Sequence, residues 1–175
     1  MTMLADIKEN HSQGQYVREY NAIEIRSIVQ QLFPNRKLVL SQFTFFGHLG
    51  VAKATGNTFR RGRRCYRLID ILSVACVLSL KEQGIPLRNI ESVPSLIQHY
   101  SKILFSKESG CKLSGYGNTV SLFIPGESED NSALSEFLNP ASSKRAIFWT
   151  FDISALVANL KRISAEEAVH SSMAA

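Results

Sequence analysis

The sequence predicts an α+β chain, helical in its N-terminal part, followed by a small antiparallel strand-rich region with a C-terminal helix. Three observations carry that expectation. Apolar residues recur at helical spacing between Ile25 and Leu104. The period then changes to that of strands around the turn pair Gly117-Asn118. A last helical stripe follows in Leu156, Val157, Leu160 and Ile163. With 175 residues, 45% hydrophobic and 20% charged, the chain has the length and composition of a globular protein that buries a core.

Residues 1–19 are polar and aperiodic and read as a flexible arm. Asn21 with Glu24 three residues on is a capping-box signal. Ile25, Ile28, Val29, Leu32 and Phe33 then share one helical face, and Pro34 ends the helix because proline breaks the hydrogen-bond ladder. A second short helix is expected from about Val39 to His48, making a helix–turn–helix pair. Gly50, Gly56 and Gly62 punctuate a loop or short hairpin around Thr58-Phe59. From Tyr66 to Gln83 apolar residues cover most of a helix circumference, which marks a central helix. Gly84 and Pro86 stop it. A helical turn follows near Leu87–Ile90, and Pro94 opens a helix carrying Leu96, Ile97, Tyr100, Ile103 and Leu104 on one side.

Lys112–Tyr116 and Thr119–Ile124 flank the turn pair as a hairpin, and Arg145–Phe151 reads as a third strand. Pro125–Lys144 is polar, with a short helix possible at Ala133–Leu138. Asp152 or Ser154 is placed to cap the last helix. The expected division is therefore 1–19 arm, 20–108 helical domain, 109–163 small α+β region and 164–175 flexible tail.

Charge is distributed unevenly. Residues 1–67 hold eleven Lys and Arg against four acids and the remainder nine against eleven, for a net charge of +5. Between Arg36 and Arg67 there are eight basic residues and no acid, five of them in Arg60-Arg61-Gly62-Arg63-Arg64-Cys65-Tyr66-Arg67. A one-sided basic stretch is the footprint of a polyanion site. A solvated loop, an acidic membrane or protein surface, and nucleic acid all satisfy it, and charge alone does not choose.

Several motifs in order resemble one family. Gly62-x-Arg64-x-Tyr66-x-x-x-Asp70-Ile71 is similar to the wing-to-helix signature of MerR-type winged helix-turn-helix DNA-binding domains. The helix it opens ends, as in that family, with Gln83-Gly84-Ile85-Pro86-Leu87-x-x-Ile90. Phe45-Phe46 and Leu49-Gly50-Val51 stand where the family has paired tyrosines and Ile-Gly-Leu. The resemblance spans residues 20–92. It implies a second helix in the major groove and an arginine wing on the sugar-phosphate backbone, with Arg64 on phosphate and Tyr66 packing and hydrogen-bonding beside it. It also implies a bacterial-type transcription regulator in the cytoplasm, associated with the nucleoid when bound.

The residues fit that chemistry directly. Arginine gives bidentate bonds to phosphate and keeps its charge, so Arg60, Arg61, Arg63, Arg64 and Arg67 are candidate backbone contacts. Arg36, Lys37 and Lys53 add to them. On the second helix Ser41, Gln42 and Thr44 can touch bases, and Gln42 can pair with adenine. Phe43, Phe45 and Phe46 cannot make such bonds and are expected chiefly in the core, with one of them, Phe45 the candidate, exposed to thymine methyls. Family members usually carry arginine where this chain has Thr44, so backbone contacts and DNA shape are expected to supply much of the binding. An alternative reading gives Arg60, Arg61, Arg63 and Arg64 to an anionic small ligand, such as a nucleotide messenger, or to an acidic protein.

Ser92–Leu104 is too short for the long dimerisation helix of that family. The C-terminal region is left to pair subunits, bind a small effector or dock a protein, with Tyr116, Phe148, Trp149 and Phe151 as candidate lining residues. A homodimer on a roughly palindromic site is expected. Cys65, Cys76 and Cys111 lack CxxC spacing, and the four histidines are scattered, so neither a disulfide framework nor a metal site is expected. Cys65 among arginines is a candidate redox thiol or a bystander. No catalytic motif or cofactor signature occurs. Asp70 is expected to support the junction ahead of the central helix and not to act as an acid. The opening residues lack the apolar run of a signal peptide, and the greasiest stretch, Leu68–Leu80, is too short to span a bilayer.

Overall fold

Asn21 carries the start of the first helix. Its side-chain oxygen accepts from the Ile23 and Glu24 amides at 2.9 and 3.1 Å, and the Glu24 carboxylate accepts from the Asn21 N–H at 2.7 Å. This reciprocal cap opens α1 (Ala22–Leu32), which buries Ile25, Ile28 and Val29. The computed structural model describes residues 19–35, 42, 47, 65–106, 110–126, 138 and 147–173. The expected second helix, the glycine loop, the short helix at Ala133–Leu138 and the N-terminal arm through residue 18 fall almost wholly outside them.

Just before α1, β1 (Tyr20–Asn21) pairs antiparallel with β2 (Cys65–Tyr66), Tyr20 opposite Tyr66 and Asn21 opposite Cys65. Tyr66 is thus in a strand and not in the helix that its apolar neighbours suggested. The helix begins two residues later because Asp70 fixes the cap. Its carboxylate accepts from the Arg67 N–H at 2.9 Å, which makes Arg67 the last non-helical residue.

The helix that follows, α2 (Leu68–Glu82), is buried at every position from Leu68 to Leu78 and again at Leu80. A helix apolar all round belongs at the centre of the core. Its one fully buried hydroxyl, Ser73, is satisfied by donating to the Ile69 carbonyl at 3.0 Å. Gly84 ends it with φ +81°. The Ile85 N–H reaches the Leu80 carbonyl and the Gly84 N–H the Lys81 carbonyl, both at 3.0 Å. These are the paired bonds of a Schellman stop, and the buried Leu80 and Ile85 supply its apolar contact.

A 3-10 turn at Leu87–Asn89 leads to α3 (Val93–His99) and α4 (Ser101–Ser106). The single helix expected here is broken at Tyr100, whose φ of −94° and ψ of 15° leave the helical basin. Beyond the bend, Leu104 and Phe105 join Ile97 in the buried core.

The hairpin forms as expected. Strands β3 (Lys112–Tyr116) and β4 (Thr119–Phe123) close with Tyr116 opposite Thr119, around Gly117 at φ +58°. Strand β5 (Phe148–Asp152) lies antiparallel on the other side of β3, giving the order β4-β3-β5. It begins at Phe148, later than the expected Arg145, and ends at Asp152. Asp152 caps the last helix, accepting from the Ser154 N–H at 2.9 Å. The Ser154 hydroxyl instead accepts from the Cys111 N–H at 2.8 Å and fastens the start of the helix to the start of the sheet.

That helix, α5 (Ile153–Met173), runs through most of the expected flexible tail. No Gly or Pro interrupts Ser164–Met173, and Arg162 pairs with Glu166 one turn on at 2.8 Å. Its Ile153, Val157, Leu160 and Ile163 enter the same buried cluster as Ile25, Leu72, Ile97 and Leu113. Leu104 and Phe105, ahead of the expected boundary at 108/109, share that cluster with Cys111 and Leu113 beyond it. The described residues therefore form a mixed α+β fold of five α-helices and two small antiparallel sheets, with a C-terminal helix.

Candidate nucleic-acid interface

The basic segment is inserted between two fixed points. It follows α1, whose end is secured where the Gln30 side chain donates to the Pro34 carbonyl at 2.8 Å. It ends at β2, where Cys65 and Tyr66 are buried and paired with the residues that precede α1. The exit of the segment therefore rests on the small ladder, and α1, which leads into it, contacts the central helix. Within residues 36–64 Gln42 and Gly47 are described, and both are helical, Gln42 half-buried and Gly47 exposed. Arg36, Lys37, Ser41, Thr44, Phe45, Lys53, Arg60, Arg61, Arg63 and Arg64 lie outside the described residues.

The two remaining candidates of this segment differ. Tyr66 sits in the buried cluster, so it positions the end of the segment and is withdrawn from any surface. Arg67 is 47% exposed at its side chain. Its Nε faces Asp70 Oδ2 at 3.5 Å, and its Nη2 donates to Gln98 Oε1 at 2.9 Å. Gln98 in turn donates through Nε2 to Asp70 Oδ1 at 2.9 Å. The Asp70 carboxylate is fully buried, and both oxygens are engaged. Such a carboxylate is a structural anchor, as a buried charge must be paired and hydrogen-bonded.

Gln98 was not legible as a partner. It lies 28 residues from Asp70, and a lone glutamine near a helix end carries no signal. The same holds for Asn89, whose Nδ2 donates to the Gly117 carbonyl and ties the 3-10 turn to the hairpin. Tyr20 and Ser164, hydrogen-bonded through their hydroxyls, join β1 to α5 without any hint in the sequence.

The four C-terminal aromatics do not share a surface. Register places Gly115 opposite Trp149 and Leu113 opposite Phe151, on the face that packs on the core, while Tyr116 and Phe148 form a cross-strand pair on the other face. Strand alternation forces this, since neighbours point to opposite faces. Trp149 is buried across Gly115, and Phe148 is 38% exposed. A pocket lined by all four is therefore not formed.

The cysteines are all buried and make no disulfide. Burial pushes the Cys76 thiol far above its ordinary value, and Cys65 is shielded from solvent oxidants in β2. Among the described residues no group of three or more His, Cys, Asp or Glu is placed to hold a metal ion. No helix of the described residues is long and apolar enough to cross a membrane. Compared with known proteins, the sequence matches no family model and no curated protein.

Proposed function

We propose that the protein is a sequence-preferring, duplex-DNA-binding transcriptional regulator of MerR-like type, a binding protein and not an enzyme, acting as a homodimer. One observation carries the reading. A segment with eight cations and no acid is bounded by α1 on one side and by the buried β2–α2 junction on the other. A rigid base lowers the ordering cost of binding, and a run of arginines supplies bidentate phosphate contacts. The order of motifs around Gly62, Tyr66, Asp70 and Gly84 adds the family resemblance.

Titration of a labelled duplex at several salt concentrations tests the reading. Four phosphate contacts from Arg60, Arg61, Arg63 and Arg64 give a log–log slope of about −4. Replacing all four by alanine is expected to abolish binding. A salt-independent affinity, or one that survives the quadruple replacement, sinks the proposal. A mononucleotide that raises the melting temperature without DNA, and that DNA does not displace, assigns the arginines to a small anion instead.

A further inference from the structure

Arg67 follows the clustered arginines directly, and its guanidinium is held along one edge only. Nε and Nη2 form the side edge, and these face Asp70 and Gln98. Among the described residues nothing takes the Nη1 hydrogens, and the side chain is about half exposed. The end-on edge, two parallel N–H groups, is the one that matches two oxygens of a phosphate. We propose that Arg67 is an anchored phosphate contact of the DNA-binding surface and that Gln98 is the positioning residue that aims it. This rests on the duplex-DNA reading above.

Gln98 suits the task because its amide offers a donor and an acceptor side by side. The NH2 group is committed to the buried Asp70 carboxylate, which turns the carbonyl towards the guanidinium. The opposite amide orientation sets oxygen against carboxylate and NH2 against guanidinium, so the network admits one arrangement. The ion pair alone does not fix the arginine, since 3.5 Å between Nε and Asp70 Oδ2 is a long contact on a solvated side chain. The apolar docking of α3 on the core is made by Val93, Pro94 and Ile97, which are buried, and Gln98 adds the polar link to Asp70 and Arg67. An exposed arginine otherwise spreads over many rotamers, and holding one of them spares the entropy lost on binding.

The test is a double-mutant cycle on the full chain with Arg67→Ala and Gln98→Leu, read as duplex affinity over a range of salt. Arg67→Ala is expected to weaken binding and to make the salt slope shallower by about 0.9, one phosphate contact. Gln98→Leu is expected to weaken binding about three- to tenfold, the range for one oriented hydrogen bond. It also lowers the melting temperature, by about 3–12 °C, because the buried Asp70 Oδ1 loses its donor. Affinity is therefore read well below the transition, on protein shown folded by circular dichroism. In the Arg67→Ala background Gln98→Leu is expected to have no further effect, because it acts through Arg67. Arg67→Lys, which keeps the charge without the fork, is expected to bind no better than Gln98→Leu. Fully additive effects, or wild-type affinity in Gln98→Leu, overturn the inference while leaving the DNA reading intact. Absence of any duplex binding by the wild-type protein overturns both.

Discussion

Asp70 shows how much one side chain decides. As the third residue of α2 it accepts from the Arg67 amide, and so sets where the helix begins and where β2 must end. Its second oxygen engages Gln98, which links α2 to α3. A single carboxylate thus fixes an element boundary and a contact between two elements. Gly115 acts by absence. A Cβ there meets the indole of Trp149, which lies across the glycine from the neighbouring strand. Gly115→Ala is expected to cost about 1–3 kcal/mol, as over-packing does, measured by urea unfolding. Trp149 is the sole tryptophan, so a shift in its native emission reports directly on that contact.

At the scale of elements, α2 dominates because water is excluded around nearly its whole circumference. That burial gives Cys76 a measurable role. Its thiol is held protonated in the folded protein by desolvation, above the ordinary value of 9.0 that the unfolded chain recovers. Unfolding therefore releases a proton once the pH passes that value. The native state binds more protons there, so stability is fully present below pH 9 and falls as pH rises beyond it. Urea unfolding at successive alkaline pH values is expected to show a loss of up to about 1.4 kcal/mol per pH unit that Cys76→Ala lacks. Equal slopes in the two proteins overturn the assignment. The two helices at Val93–His99 and Ser101–Ser106 teach a second lesson about elements. Periodicity joined them because Ile97 and Leu104 are a heptad apart, and residues on both sides of the break at Tyr100, Ile97 before it and Leu104 and Phe105 after it, enter the core.

For the whole molecule the decisive fact is the shared core. The helical elements and the sheet contribute to one buried cluster, closed by α5, which contacts α1, α2 and β3. Asn89 on the hairpin turn and Tyr20 on Ser164 are cross-links between sequence-distant parts. Unfolding is therefore expected to be one cooperative transition. Trp149 fluorescence, which watches the sheet, and far-UV circular dichroism, which watches mainly the helices, are expected to share a midpoint in urea. Separate midpoints are the result that contradicts a common core.

Local chemistry made much of this readable in advance. The capping box at Asn21, the Gly84 stop, the Gly117-Asn118 hairpin and the all-round apolar character of the central helix depend on neighbours within a few residues, so the chain states them directly. The acid-free run from Arg36 to Arg67 is equally plain, being a matter of composition. What only tertiary structure decided are pairings across long separations. Tyr66 became a strand because Tyr20 lies opposite, the aromatics divided between two faces because register fixed their parity, and Gln98 reached Asp70 across 28 residues. Those contacts depend on which surfaces meet once the chain has collapsed, and burial of a shared core, unlike a cap or a turn, leaves no mark at fixed spacing along the sequence.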